Sequence, residues 1–225
     1  MKIDHYIPAY NQSVDFNVLS QSHRDHSYCA EAGHTYRIRG AHSCDLIQMR
    51  NNALHRALTE GFDFLFMQDA DVFSPAPNGP LQPLLATALE TEATISGALV
   101  SMRTRPPRAN VWPVHVGETY EADKIGTGMV LLDLRKIRGW YDDYDGPCFA
   151  RVYEDDKCIT PKIGSDIYFS YVVRQHGGRI VCNAAVPTVH VDATYPLEFD
   201  GAEIPNAAVS AEGTGAFLPG NEQHP

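Results

Sequence analysis

The chain has 225 residues, of which 44% are hydrophobic and 20% are charged, enough to bury the core of one large domain or two small ones. Its formal net charge of −10 argues against broad, nonspecific binding to nucleic acids. The five cysteines are scattered without any Cys-x-x-Cys pair, which argues against a structural zinc site and favours reduced thiols. The sequence has no apolar signal region and no run of about 18 apolar residues, so we expect no membrane span and a cytoplasmic protein.

The amino-terminal part of the chain predicts two strands. Residues 3–8 predict a first strand, which a loop interrupts at Pro8. Residues 12–34 are polar and rich in Ser and His, and we expect a solvated loop or the outer surface of a helix there. The alternation of residue types at 35–39 predicts a second strand.

A helix is predicted after this second strand. Ser43 or Asp45 can cap it, apolar residues then recur at helical spacing, and Gly61 ends it. Arg50 and Asn51 lie in this helix, just before the next strand in the chain. They are either exposed helix residues or side chains that face the ligand of that strand.

A short, mostly apolar run at residues 62–68 predicts a strand that is buried on both faces. It ends in Asp69 and Asp71, two carboxylates one residue apart, and a loop rich in Pro follows. Open α/β sheets bind ligands at the carboxyl ends of such strands. Two carboxylates suit a Mg²⁺ or Mn²⁺ ion whose coordination is completed by substrate phosphates. The alternative is that both acids only cap a turn.

Three arginines follow a helix and a strand predicted at residues 81–92 and 93–101. Arg103, Arg105 and Arg108 flank a rigid Pro-Pro bend. Such a loop can hold a phosphate or an anionic acceptor, because guanidinium groups bind these anions through paired hydrogen bonds. The alternative is a solvated basic loop.

Two glycines precede an apolar strand that ends at Leu132. Gly126 and Gly128 remove side chains on both sides of Thr127, so that a ligand or another backbone can approach closely. The alternative is a plain tight turn. The segment is not a dinucleotide-binding fingerprint, because the third glycine and the following helix are missing.

The carboxyl-terminal part predicts one well-marked helix. Ser165 is a suitable cap and Asp166 falls in the first turn, where it either complements the helix dipole or faces a ligand. Short strands are predicted at 179–183 and 187–191. Residues 193–225 have no clear period, and we expect a loosely attached tail or a lid.

In this order, the motifs resemble those of GT-A-fold glycosyltransferases, particularly the family-2-like enzymes of bacteria and phages. The resemblance covers residues 3–191. It implies a single α/β domain of GT-A type (Rossmann-like) at residues 1–192, with a mostly parallel central sheet, helices on both faces and a small antiparallel edge. The matching segments are Ile7-Pro8-Ala9-Tyr10-Asn11, Arg50-Asn51, Asp69-Ala70-Asp71, Gly126-Thr127-Gly128, Gly164-Ser165-Asp166-Ile167-Tyr168-Phe169 and His190.

The resemblance also implies a role for each of these positions. Asp71 and His190 would bind Mn²⁺ or Mg²⁺, with Asp69 at the metal's water shell or the donor's ribose, and Asp166 would be the base that faces the acceptor hydroxyl. The predicted metal group is therefore Asp69, Asp71 and His190. The predicted nucleotide-sugar-binding residues are Pro8, Ala9, Tyr10, Arg50, Asn51, Gln68, Asp69 and Ala70. The predicted acceptor-binding residues are Gly126, Thr127, Gly128, Arg103 and Arg105.

The implied activity is metal-dependent transfer of a sugar from a nucleoside-diphosphate sugar to a hydroxyl of a glycan, a protein or a modified nucleobase, as in modified DNA. A UDP-sugar is the expected donor, and a phage-encoded enzyme would act in the host cytoplasm. Two departures from the family pattern leave the donor base and the choice between inversion and retention open. The strand at 35–39 lacks the acidic residue that reads the base, and Ser165 stands where the family often has Glu.

Two other functions remain as alternatives. One is a sugar-phosphate nucleotidyltransferase, which usually needs a Gly-rich, basic loop near the amino terminus to hold a triphosphate. Residues 8–20 contain neither glycine nor a basic residue, which argues against it. The other is a non-catalytic module that binds nucleotide sugars or glycans.

Overall fold

The computed structural model describes residues 1–9, 13–41, 45–102, 108–153 and 161–191. Tyr10, Arg103, Arg105 and the predicted tail at 193–225 lie outside these ranges. In the described ranges, no helix is both long enough and apolar enough to cross a membrane. The helices are α1 (Phe16–Glu31), α2 (Leu46–Thr59), α3 (Leu81–Glu90), α4 (Leu134–Tyr141) and α5 (Ser165–Gln175).

A seven-stranded sheet forms the centre of the fold, in the order β2-β1-β3-β11-β5-β14-β9. Short antiparallel pairs, namely β8 with β10, β12 with β13, β4 with β15 and β6 with β7, surround it. The strands are β1 (Lys2–Pro8), β2 (Thr35–Ala41), β3 (Phe64–Gln68), β4 (Val72–Phe73), β5 (Ile95–Ala98), β6 (Ser101–Met102), β7 (Arg108–Ala109), β8 (Val111–Trp112), β9 (Thr119–Glu121), β10 (Lys124–Ile125), β11 (Met129–Asp133), β12 (Val152–Tyr153), β13 (Pro161–Ile163), β14 (Ile180–Asn183) and β15 (Val189–His190).

Helices cover both faces of this sheet. Strands β3, β5, β11 and β14 are buried at every position, as expected for strands packed on two sides. Helices α2, α4 and α5 pack on one face and contribute Leu54, Ile137 and Phe169 to its core. Helices α1 and α3 pack on the other face, through Cys29 and Leu84. The predicted α/β fold class, with a mostly parallel sheet between two helical layers, is confirmed.

Strand β11 runs antiparallel between β3 and β5, two strands that share the opposite direction. Its first residue, Met129, pairs with Gln68, the last residue of β3. The chain therefore enters β11 at the edge where β3 leaves the sheet. The Asp69 amide donates to the Gly128 carbonyl at 2.9 Å and extends this contact beyond the sheet.

Helix α1 lies within the polar stretch at residues 12–34, for which the sequence predicts either a solvated loop or the outer surface of a helix. Asp15 caps the helix by accepting from the Asn17 amide at 2.7 Å. Its buried face is unusual, because Gln21 and Asp25 are both 0% exposed. The Asp25 carboxylate accepts from the Leu81 amide at the start of α3, which joins the two helices of this layer.

Candidate active site

A cavity of about 330 Å³ lies at the carboxyl ends of β3 and β5. This is the edge of an open α/β sheet at which ligands bind. Segments from distant parts of the chain meet there, because β11 brings its own start to the end of β3. The lining residues include Asp69, Asp71, Val100, Ser101, Asn110, Trp112, Gly126, Gly128, Asp166 and His190.

Asp71 and His190 face each other across the small β4–β15 pair. Val72 is opposite His190 in this pair, and the Val191 amide donates to the Asp71 carbonyl at 2.8 Å. The His190 Nε2 atom lies 3.4 Å from the Asp71 Oδ2 atom. The other ring nitrogen, Nδ1, lies 2.9 Å from the Ser101 carbonyl, which can only accept a hydrogen bond. Nδ1 therefore carries the hydrogen, and Nε2 directs a lone pair toward the carboxylate in the neutral ring.

This pair fits a divalent cation. A ligating histidine usually donates its second ring N–H to a carbonyl or carboxylate, as His190 does to Ser101. Mg²⁺ binds its ligands at about 2.1 Å, so two neighbouring ligand atoms lie about 3 Å apart, close to the Asp71–His190 separation. Across the described ranges, no three His, Cys, Asp or Glu side chains group as a metal centre by themselves. Asp69, Asp71 and His190 line one cavity, and their role as a metal group stays a prediction.

Asp69 is held by an arginine of α2. The Arg50 Nη2 atom lies 3.2 Å from the Asp69 Oδ1 atom, and the Arg50 side chain is only 6% exposed. Arg50 was predicted to be an exposed helix residue or a ligand contact. The structure instead buries it and directs it at the Asp69 carboxylate, so that its contact with a nucleotide sugar stays a prediction.

The segment Gly126–Gly128 separates two carboxylates of the cavity. A Cβ atom built on Gly126 would lie 3.0 Å from the Asp166 Oδ2 atom, and one built on Gly128 would lie 3.5 Å from the Asp69 Oδ2 atom. Asp166 and Asp69 therefore approach the first and the last residue of the same three-residue segment. The bare backbone leaves room for the carboxylates and for a ligand between them.

Asp166 lies in the first turn of α5, as predicted. Its Oδ1 atom accepts from the Ile167 amide at 3.0 Å, while its Oδ2 atom approaches Gly126. The sequence predicts Ser165 as the cap of this helix, but in the structure the cap is Gly164. Ser165 is the first helical residue, and its hydroxyl lies 3.4 Å from the Arg50 Nη1 atom.

Several predicted ligand contacts have other partners in the structure. Gln68 is 0% exposed and bonds to Gln21 and to the Val72 carbonyl, so it is not available to a nucleotide sugar. The Asn51 amide donates to the Phe149 carbonyl at 2.8 Å and accepts from its amide at 3.0 Å, which fixes a loop.

The remaining predicted positions in the described ranges are not among the residues that line the cavity. Pro8 is the last residue of β1, and the amide of the next residue, Ala9, donates to the Ala41 carbonyl at 2.8 Å. The Ala70 carbonyl accepts from the Asp15 amide at 2.8 Å. Thr127 is 3% exposed, between the two glycines. A ligand role for these residues stays a prediction.

Asn110 and Trp112 also line the cavity, although no sequence motif points to either residue. Asn110 is 7% exposed, and its amide accepts from the Val100 amide at 2.7 Å and donates to the Gly126 carbonyl at 3.2 Å. It thereby ties the end of β5 to the glycine segment. Trp112 lines the cavity, and the Lys124 Nζ atom lies 4.9 Å from the centroid of its ring.

No protein-family model matches the chain, and no curated protein matches its sequence. Among solved structures, protein A197 from STIV is similar in fold, with a TM-score of 0.58 over 84% of this chain and 85% of that chain, at 18% identity. At this level of identity, the similarity shows a shared fold. A mutant of Drosophila β-1,4-galactosyltransferase 7 in complex with manganese, UDP-Gal and xylobiose has a TM-score of 0.48 at 10% identity, over 84% of this chain and 70% of that chain. UDP-glucose pyrophosphorylase from Acinetobacter baumannii has a TM-score of 0.49 at 8% identity, over 85% and 89%.

Proposed function

We propose that this protein is a metal-dependent glycosyltransferase that moves a sugar from a nucleoside-diphosphate sugar to a hydroxyl acceptor. One observation carries the proposal. A single cavity contains the Asp71–His190 pair and, across the segment Gly126–Gly128, the carboxylate of Asp166. The Asp71–His190 pair is suited to a metal-bound diphosphate, and the Asp166 carboxylate is suited to accept a proton from the acceptor. Both line the same cavity.

The donor side of the cavity is made by the end of β3 and by β15. Asp71 and His190 would hold Mn²⁺ or Mg²⁺, since they offer a carboxylate oxygen and an imidazole nitrogen 3.4 Å apart. The bound ion would supply charge neutralisation for the diphosphate leaving group. Asp69 would meet the ribose with its Oδ2 atom, since Arg50 engages its Oδ1 atom.

The acceptor side is made by α5 and the glycine segment. Asp166 uses its Oδ1 atom to accept from the backbone, which holds the carboxylate in place. Its Oδ2 atom approaches Gly126 at the cavity wall and would take the proton of an incoming hydroxyl. Trp112 offers a flat apolar ring at the same cavity, a surface on which a sugar ring can pack.

A screen of donor hydrolysis tests this proposal. UDP-, GDP- and CMP-sugars are incubated with the protein, with and without Mn²⁺, and the released nucleoside diphosphate or monophosphate is measured. We expect turnover of a UDP-sugar that requires Mn²⁺ and falls by at least about 100-fold in Asp71→Ala. Asp143→Ala, which removes an exposed carboxylate outside the cavity, is the matched control and should keep full activity.

Three results would contradict the proposal. Full activity of Asp71→Ala would remove the metal assignment. Release of pyrophosphate from a nucleoside triphosphate and a sugar phosphate would indicate a nucleotidyltransferase instead. Metal-independent binding of a nucleotide sugar without turnover, unchanged in Asp166→Asn, would indicate a non-catalytic binding module.

A further inference from the structure

Two glutamine side chains form a reciprocal pair inside the protein, behind the turn that carries Asp69 and Asp71. Gln21 on α1 and Gln68 at the end of β3 are both 0% exposed. The Gln21 Nε2 atom donates to the Gln68 Oε1 atom at 2.8 Å, and the Gln68 Nε2 atom donates to the Gln21 Oε1 atom at 3.2 Å. Each amide thus serves the other as donor and as acceptor.

Each amide also binds the backbone just beyond the two aspartates. The Gln68 Nε2 atom donates to the Val72 carbonyl at 2.6 Å, which bridges the three residues between them. The Gln21 Oε1 atom accepts from the Ser74 amide at 2.7 Å. Two hydrogen bonds from buried side chains therefore hold the turn, one at Val72 and one at Ser74.

These two points determine where Asp71 stands relative to His190. Val72, which Gln68 holds, is the residue opposite His190 in the β4–β15 pair. A shift of Val72 would move the neighbouring Asp71 carboxylate and change its 3.4 Å separation from the His190 ring. Metal ligands tolerate little displacement, because Mg²⁺ demands near-ideal geometry.

The glutamine pair is in turn anchored to a third element. The Gln21 Nε2 atom donates to the Asp25 Oδ2 atom at 3.1 Å, and the Asp25 Oδ1 atom accepts from the Leu81 amide at 3.2 Å. The chain of hydrogen bonds thus runs from α3 through α1 to the turn. Buried amides are costly unless their donors and acceptors are satisfied, and a satisfied network of this kind holds its members in one fixed arrangement.

We propose that Gln21 and Gln68 are positioning residues, which fix the turn that carries Asp69 and Asp71 and so set the affinity for the divalent cation. This inference rests on the proposed function. It gives Gln68 a different role from the nucleotide-sugar contact that the sequence predicts. Neither glutamine touches the cation or the sugar. They act through the backbone of Val72 and Ser74.

The test measures Mn²⁺ binding to the full chain in the presence of saturating UDP, by the electron paramagnetic resonance signal of free Mn²⁺. Gln68→Met keeps the length of the side chain but removes its donor and acceptor. We expect its dissociation constant for Mn²⁺ to rise about 10-fold or more, as for other groups that orient ligands. Gln48→Met, on the exposed side of α2, is the control and should bind as the wild type does.

Two further measurements separate positioning from general stability. In Gln68→Met, amide hydrogen exchange should accelerate at Ser74 but not in β11, which lies outside the hydrogen-bonded turn. The double variant Gln21→Met/Gln68→Met replaces both partners by apolar groups, so its melting temperature should be no lower than that of either single variant. Its affinity for Mn²⁺ should nevertheless stay weak, since neither backbone contact is restored.

The outcomes are distinguishable. If the wild type binds Mn²⁺ and folded Gln68→Met binds it equally well, the positioning role is overturned and the proposed function stands. If the wild type with UDP does not bind Mn²⁺ at all, both are overturned. If Gln68→Met fails to fold, Gln21→Met makes the same test from α1, and unchanged Mn²⁺ binding there overturns the inference.

Discussion

Arg50 binds Asp69 through one guanidinium nitrogen and the Ser165 hydroxyl through the other, at 3.2 Å and 3.4 Å. It thereby joins three elements: α2, the end of β3 and the start of α5. Asp166, the proposed base, is the residue after Ser165. The buried Arg50 guanidinium thus holds the end of β3 against the helix that carries Asp166.

Replacement of Arg50 by lysine should impair transfer more than folding. An ammonium group is a point charge and cannot span Asp69 and Ser165 as the planar guanidinium does. We expect kcat/KM for the donor to fall about 10-fold or more, while the free energy of unfolding changes by about 1 kcal/mol, since Asp69 is one-third exposed. Steady-state kinetics and urea unfolding measure the two effects. Arg56→Lys, an exposed arginine on the same helix, is the control.

Gly126→Ala should slow the chemical step. The added methyl group would lie 3.0 Å from the Asp166 Oδ2 atom and 3.2 Å from the Asn110 Cβ atom, so the carboxylate must move by a few tenths of an ångström. We expect kcat to fall about 10-fold or more, because catalytic groups tolerate little misplacement. In Gly128→Ala, the new methyl group would be at an ordinary 3.5 Å from Asp69, and kcat should fall less. The opposite order of the two variants would contradict the assignment of Asp166.

Asp25 should make stability depend on pH. Burial raises the pKa of its carboxyl group from 3.8 to about 7 in the folded protein. The unfolded chain therefore loses this proton first, so the free energy of unfolding falls as the pH rises from about 4 to about 7, by at most about 1.4 kcal/mol per pH unit. Asp25→Asn lacks this proton equilibrium. Its stability relative to the wild type should improve as the pH rises through the same window.

Urea unfolding of both proteins between about pH 4 and pH 7 tests this dependence. Burial also lowers the pKa of His5, from 6.5 to about 3, which gives stability that is lost as the pH falls. This opposing contribution is present in both proteins and cancels in their difference. Parallel stability profiles would show that Asp25 does not titrate in this range.

Gly97→Ala should destabilise the central sheet. A Cβ atom on this residue of β5 would lie 2.5 Å from the Ile125 Cδ1 atom and 2.9 Å from the Val130 Cγ1 atom, inside the core. We expect a loss of about 1–3 kcal/mol in the free energy of unfolding, the usual cost of overpacking. Gly139→Ala on α4, which meets no atom within 4 Å, is the control and should stabilise by up to about 1 kcal/mol. Equal effects of the two variants would contradict the packing argument.

The sequence predicted those elements whose signals are local. The apolar run of β3 and the Asp45 cap of α2 are visible in a few residues, and both are found where expected. Helix α1 escaped firm prediction because its buried face is polar, with Gln21 and Asp25 in place of leucines. Apolar periodicity has no signal where the partners of a helix are themselves amides and carboxylates.

In the site, too, the sequence identifies the functional residue types but not the partners that hold them. Asp69, Asp71, Gly126, Asp166 and His190 were chosen from motifs, and the structure brings them to one cavity. Their functional roles stay predictions. The hydrogen bonds between Gln68 and Gln21 and between Arg50 and Ser165 join residues that are far apart in the chain. No local sequence pattern predicts such pairs.

The reversed direction of β11 has a consequence for how the protein is made. A nascent chain that has not yet emerged beyond residue 125 lacks the strand between β3 and β5, and both would be left as open edges. The cavity wall opposite the aspartates would be missing at that stage. We therefore expect that the chain acquires its ability to bind a ligand late in synthesis, when the reversed strand closes the gap and the two halves of the sheet fold cooperatively.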